Sequence, residues 1–172
     1  HYSWIEERSI LIQQNSDLYV VDDLESNPRL LVDGESYPVI DPKVSPIGDM
    51  VAFVCRGDIF VIPVSGGIPR KVTRKTNLGV TNGLADYIAQ EEMRRPSGFW
   101  WSLDGQKIAF TQVDETHIPP LHIVHSGKDD TGADAQEIHR YPFSGQDNPK
   151  VKLGVISMDG SVKWLNTEKY EY

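Results

Sequence analysis

Cysteine is almost missing from this 172-residue chain. Cys55 is the only one, so no intrachain disulfide can form. Asn-x-Ser/Thr acceptors are missing too: Asn15, Asn27, Asn77, Asn82, Asn148 and Asn166 all lack Ser or Thr two residues on. Both absences lean towards a reducing compartment, and a cytoplasmic location is the expectation. Apolar runs reach only about six residues, against the ~20 needed to span a bilayer, so no membrane segment is expected. No signal peptide is visible, and the first residue is His1 rather than Met, which reads as a processed chain or a piece of a longer one. Positive charge is scarce: 17 Lys and Arg face 25 Asp and Glu, a net charge of −8. With the cations scattered, a nucleic-acid or anionic-membrane partner is not expected. Hydrophobic residues make up 39% of the chain and charged residues 24%, the composition of a globular domain with a core, not of a disordered or collagen-like chain.

What is present is a repeat. Ser9–Gln13 reads as a strand, Gln14-Asn15-Ser16 as a turn, and Asp17-Leu18-Tyr19-Val20-Val21 as the returning strand. Met50–Cys55, Arg56-Gly57 and Asp58-Ile59-Phe60-Val61-Ile62 are the same unit, with 41 residues from Asp17 to Asp58. A period near ~40–45 residues with several strands per unit is that of β-propeller blades. A second landmark is the Ser-x-x-Gly turn. Ser45-Pro46-Ile47-Gly48 precedes Met50–Phe53, and Ser102-Leu103-Asp104-Gly105 precedes Lys107–Phe110. Met158-Asp159-Gly160-Ser161, between Val151–Ser157 and Val162–Trp164, looks like a weaker third copy. Ser65-Gly66-Gly67-Ile68-Pro69 turns towards Arg70–Thr73. Val51–Val54, apolar on both faces, suits a sheet packed between two neighbours. Tyr19, Phe53, Phe60, Trp100, Trp101 and Phe110 are expected in the core. The expected fold is therefore all-β: a partial β-propeller of about three to four four-stranded antiparallel blades, with residues 1–172 forming one partial domain.

The Ser45 and Ser102 turns lie 57 residues apart, more than one blade. The excess falls at Asn77–Gly98, where the period becomes helical: Leu84, Tyr87, Ile88 and Glu91 follow i, i+3, i+4, i+7. Asn82 suits an N-cap, Asp86 the first turn, and Arg94-Arg95 the end before Pro96. A short helical insertion near residues 83–95 is expected, and insertions into regular scaffolds often carry function. Ser126–Asn148 reads as a long polar surface connection with room for its own hairpin.

Glu91-Glu92 is the most informative pair. Glu91 falls on the helix's apolar stripe. Two like charges at ~4 Å in an effective dielectric near 20 repel by about 4 kcal/mol before screening. A cationic ligand between them would turn that repulsion into binding energy, and a primary ammonium, with three donors and no acceptor, fits. On spacing alone a plain alternative stands beside this: a solvated helix end, with Glu91 paired to Arg94 and Arg95.

Other chemistry is weakly represented. His122 and His125 are separated by an odd number of positions, which puts them on opposite faces of a strand. His1, His117 and His139 complete the histidines, and no His-Glu-x-x-His occurs. No metal and no cofactor is expected. Gly-x-Ser-x-Gly is absent, as are Gly-x-x-x-x-Gly-Lys and Gly-x-Gly-x-x-Gly. Cys55, in an apolar strand, reads as a core residue, and Phe99-Trp100-Trp101 as core packing before a turn.

The segment Asn82-Gly83-Leu84-Ala85-Asp86-Tyr87-Ile88-Ala89-Gln90-Glu91-Glu92-Met93, followed by Gly98-Phe99-Trp100-Trp101-Ser102-Leu103-Asp104-Gly105 and Ile108-Ala109-Phe110-Thr111, resembles the dipeptidyl peptidase IV family of serine peptidases. The resemblance runs from about Leu11 to Leu165 and is sharpest from Asn82 to Leu121. The missing disulfides and glycosylation acceptors look more like the cytosolic dipeptidyl peptidase 8/9-like branch or plant and bacterial relatives. The resemblance implies an eight-bladed propeller capping an α/β-hydrolase domain, removal of N-terminal dipeptides with Pro or Ala second, and binding of the substrate's free α-ammonium by Glu91 and Glu92. The glutamates would set the cleavage position by anchoring the N-terminus, a positioning role. No catalytic residue is expected in this chain, because the family's Ser, Asp and His lie in the hydrolase domain. The family's carbonyl-binding arginine finds no match in Asp33–Pro42, and Arg29 is a remote candidate. The implied partners are peptides with a free N-terminus and the parent's hydrolase domain, with a homodimer open as a further assembly. The alternative is a truncated, non-catalytic propeller that serves as a peptide- or protein-binding scaffold. A generic interaction propeller would leave the glutamate helix unexplained.

Overall fold

The computed structural model describes residues 2–5, 7, 9–23, 25–124 and 135–167. Three antiparallel sheets follow one another along the chain, each built on four strands ordered as the sequence runs, and the third gains a fifth strand at its side. The first holds β1 (Tyr2–Trp4), β2 (Ile10–Gln14), β3 (Asp17–Val21) and β4 (Arg29–Val32). The second holds β5 (Ile40–Val44), β6 (Met50–Cys55), β7 (Asp58–Pro63) and β8 (Arg70–Lys71). A linker then carries β9 (Val80–Asn82) and the helix α1 (Tyr87–Glu91). The third sheet holds β10 (Phe99–Trp101), β11 (Lys107–Asp114), β14 (Lys150–Ser157) and β15 (Val162–Trp164), with the hairpin of β12 (Pro120–Val124) and β13 (Gln136–Arg140) inserted between β11 and β14. No sheet closes on itself among the described residues. This is the all-β architecture of a partial propeller, with three blades described.

The turns explain the repeat. Arg56 and Gly57 both take positive φ, 49° and 79°, the twist that lets two residues join β6 to β7. The Ser45 and Ser102 turns are equivalent, each joining the first two strands of a sheet. Gly48 N–H donates to Ser45 O at 3.0 Å, and Gly105 N–H donates to Ser102 O at 2.9 Å. The apparent third copy is a different joint. Gly160 N–H donates to Ser157 O at 2.8 Å, in the turn from the third strand, β14, to the fourth, β15. A Ser-to-Gly tight turn serves either joint, so the motif alone does not mark a new blade. The 57-residue spacing is taken up, as expected, by the linker that carries α1. Part of the expected surface connection, residues 125–134, lies outside the described residues. The strands on either side of it pair from Pro120↔Arg140 to Val124↔Gln136.

The second sheet is apolar on both faces because both are covered. In β6, Val51, Phe53 and Cys55 join a core cluster with Leu11, Leu18, Val20 and Leu31 of the first sheet. The alternate residues Ala52 and Val54 join another with Phe99, Ile108, Phe110 and Ile156 of the third. The period of two splits the strand between two cores. Cys55 is a core residue, and burial pushes its thiol pKa up. Phe53, Phe60 and Phe110 are buried as expected, while Tyr19 and Trp101 are half-buried. Trp100 is 40% exposed, contrary to expectation. In the three-residue β10 the alternation spends its inward position on Phe99, and Trp100 faces the other way.

Asp17 and Asp58 head the third strand of their sheets and perform one task. Asp17 Oδ1 accepts from Gly34 N–H at 2.8 Å, and Asp58 Oδ1 accepts from Lys75 N–H at 2.9 Å. Each carboxylate thus holds the chain just after it leaves the fourth strand.

Candidate functional site

The linker between the second and third sheets is pinned at its base. Asn82 Nδ2 donates to Asp58 Oδ1 at 2.9 Å, and Asn82 Oδ1 accepts from Gln112 Nε2 at 3.0 Å. Strand β9 pairs with the far end of β11, from Gln112↔Asn82 to Asp114↔Val80. Gly83 has φ +84°, and a Cβ there would lie 2.6 Å from Ile59 Cγ1. The chain returns at Ser97, bridged to Leu84. There Thr111 Oγ1 lies 3.1 Å from Leu84 O and 3.2 Å from Gly98 O. A Cβ on Gly98 would lie 2.4 Å from the Leu84 carbonyl carbon, so only glycine lets the two strands of the loop's neck meet.

On this neck stands α1. Its N-cap is Asp86, whose Oδ1 accepts from Ala89 N–H at 3.1 Å. Asn82 is not the cap: its side chain is 1% exposed and already bonded on both sides. The helix is therefore five residues, Tyr87–Glu91, inside the expected 83–95. Leu84 is held by the neck before the helix starts, and Arg94, with φ 53°, ends it. The helix rests on Ala89, with Ala85 buried before it, while Tyr87 is 48% exposed. Glu91 is therefore not in an apolar stripe, because the small alanines, not the i, i+3, i+4, i+7 set, face inward. Glu91 and Glu92 are both exposed.

Arg95 closes the loop. Its Nη2 lies 3.8 Å from Asp86 Oδ2, its Nη1 donates to Ser97 O at 2.9 Å, and its backbone N–H donates to Ala89 O at 2.9 Å. The guanidinium also lies 6.0 Å from the Trp100 ring centre. The pairing of Glu91 with Arg94 and Arg95 does not form. Arg95 goes to Asp86, and among the described residues neither glutamate carboxylate has an ion-pair partner. Two carboxylates at successive positions are thus exposed at the end of a braced helix, and chemically such groups can accept hydrogen bonds from a cation with several donors.

The sequence reading missed an aromatic row that begins at the first residue of the helix. Tyr87 stacks edge-on against Tyr141 with ring centres 5.0 Å apart, and Tyr141 meets Phe143 at 6.3 Å. The signal was Tyr141-Pro142-Phe143, two aromatics in an otherwise polar connection. Behind the helix, burial pushes the Glu115 pKa up, and the charge of Asp86 adds to that against the opposing pull of Arg140 and His117. Arg29 is not brought to the glutamates. It sits on β4, where Asp22 Oδ1 lies 3.3 Å from its Nη2 and Val64 O accepts from the same nitrogen at 3.1 Å. His122 meets Gln136 and His139 meets Glu137 in the β12–β13 hairpin, while His1 and His125 lie outside the described residues. Among the described residues no group of three or more His, Cys, Asp or Glu side chains is placed to hold a metal, and no helix is long and apolar enough to cross a membrane.

The family model of the dipeptidyl peptidase IV N-terminal region matches residues 8–170, which takes in the three sheets apart from β1, the neck and α1. The chain belongs to the dipeptidyl peptidase IV family. Relatives within it include venom dipeptidyl peptidase 4 of Apis mellifera, 32% identical over 146 residues, covering 79% of this chain and 18% of the relative. Dipeptidyl peptidase 4 of Felis catus is 26% identical over 162 residues, 92% of this chain and 20% of the relative. Inactive dipeptidyl peptidase 10 of Rattus norvegicus is 29% identical over 122 residues, 69% of this chain and 15% of the relative. The chain thus spans a fifth or less of the length of each.

Proposed function

We propose that this chain is the N-terminal propeller segment of a serine-type dipeptidyl peptidase, and that Glu91 and Glu92 bind the free α-ammonium of the peptide substrate. The observation that carries the reading is the division of charges on the loop. Asp86 takes Arg95 and fixes the stalk, which leaves two exposed carboxylates at its tip with no cation of their own among the described residues. An ammonium bound there would be held by charge-assisted hydrogen bonds. The rest of the peptide would then extend a fixed length, so that the second peptide bond meets a nucleophile in a hydrolase domain of the parent protein. Family membership supports the same reading, as do relatives named dipeptidyl peptidase 4.

The test is made in the full-length protein. Glu91→Gln and Glu92→Gln should each lower kcat/KM for an X-Pro chromogenic substrate by tenfold or more, since each removes a hydrogen bond to a charged group worth about 1.5–3 kcal/mol. Unchanged kcat/KM in both variants would refute the assignment. A second reading is favoured by one comparison, the similarity to inactive dipeptidyl peptidase 10: a propeller that binds peptides or a partner and hydrolyses nothing. Under that reading the full-length protein gives no turnover, yet still binds a free-N-terminus peptide better than its acetylated form.

A further inference from the structure

The chain's cations are scattered over most of its length, with one local exception. Between Asp58 and Asp86 there is no acidic residue, and Arg70, Lys71, Arg74 and Lys75 fall within six positions. Three of these four line one cavity of about 380 Å³, at the seam between the second and third sheets. One wall is β8 and the residues after it: Arg70, Lys71, Thr73 and Arg74. The other is the third sheet, with Gln112 and Trp164. β8 has only two residues here, and both walls belong to this chain. Gly160, at the rim, has φ +90°, and a Cβ added there would meet nothing within 4 Å.

Among the described residues no carboxylate lines the cavity. Lys71 is accounted for: its Nζ lies 3.0 Å from Asp58 Oδ2, deep in the second sheet. The two arginines are not. Arg70 Nη2 lies 4.0 Å from Met158 Sδ, and a thioether is a weak acceptor. Arg74 has no ion pair among the described residues. Among the described residues two guanidiniums therefore share a concave site with no oxyanion on either fork, in a molecule whose net charge is −8. A guanidinium fork matches the two oxygens of a carboxylate or phosphate. Trp164, 48% exposed, adds an apolar wall beside them.

We infer that this seam is a binding site for an oxyanion, a ligand bearing phosphate or clustered carboxylate groups, held by Arg70 and Arg74. It is separate from the glutamate pair and does not depend on the reading of that pair. The test is calorimetric titration of the full-length protein with pyrophosphate and, separately, with citrate, at constant ionic strength. Saturable binding of at least one is expected. Arg70→Gln/Arg74→Gln should weaken it tenfold or more. Arg74→Gln alone, which breaks no side-chain bond among the described residues, should weaken it several-fold with folding intact. Lys107→Ala removes an exposed cation at the opposite end of β11 from Gln112 and should bind as the parent does. Binding of pyrophosphate alone identifies a phosphate-bearing ligand, binding of citrate alone a polycarboxylate, and binding of both a general oxyanion site. No saturable binding of either, or equal binding by the arginine variants and the parent, would overturn the inference.

Discussion

Asp58 is 1% exposed, yet its carboxylate gathers Thr73 Oγ1 at 3.0 Å, the Lys75 backbone N–H and Asn82 Nδ2 at 2.9 Å, and Lys71 at 3.0 Å. Burying a charge is tolerable only with such company. The sequence marked Asp58 through its repeat with Asp17, but its partners lie 13 to 24 positions on and no local pattern connects them. Glu115 shows the opposite balance. Burial raises its pKa above the ordinary 4.5, the Asp86 charge adds to this, and Arg140 and His117 only partly oppose it. A raised folded-state value means the native protein holds this proton more tightly than the unfolded chain does. The contribution to stability is complete below the unfolded pKa and is lost as pH rises through the folded one. Glu115→Gln is therefore expected to gain stability relative to the parent between pH 4 and pH 7. Urea unfolding at the two pH values measures this, and a gap that does not widen with pH would contradict it.

At the scale of elements, α1 is too short to hold itself together, since a single turn barely repays its nucleation. Its order comes from the neck, the Asp86 cap and Arg95. Asp86→Ala removes a cap worth about 1 kcal/mol together with the Arg95 partner. The expected result is local: faster amide hydrogen exchange at Ala89 and Gln90, with β6 and β7 unchanged. Exchange that quickens equally in β6 would mean the loop is integral to the core. The strands were legible because alternation and Gly-bearing turns are short-range signals. The helix was legible in place and less so in its limits. Asn82 and Asp86 are both good caps, and what decides between them is that β9 claims Asn82 for β11. Trp100 was misread for a related reason, since a run of three aromatics does not reveal which of them faces the core. Glu91 and Glu92 were legible as an unusual pair, but the pairing of Arg95 with Asp86 depends on how the loop folds back and was not.

At the scale of the molecule, the three sheets do not bear equal loads. The second has a core on each face, and Phe53, Ile59 and Ile62 are 0% exposed. Phe53→Ala is expected to cost about 3–5 kcal/mol, the usual range for a large buried aromatic. The amides of β6 and β7 should be the last to exchange. Denaturant titration and exchange mass spectrometry test both, and faster exchange in β6 than in β2 would contradict the ranking. The repeat was enough to mark out the blades. It did not give their joints, because a Ser-to-Gly turn serves the first pair of strands in one place and the last pair in another.

The neck beneath the glutamates has one property of a lever. Its fulcrum, Asn82, is gripped by Asp58 from one blade and by Gln112 from the next. A slight rocking of either blade against its neighbour must therefore tilt the tip, where Glu91 and Glu92 stand. The reach of those two carboxylates is thus calibrated by the angle between two blades, and a substitution far out along that seam can shift them without touching the helix.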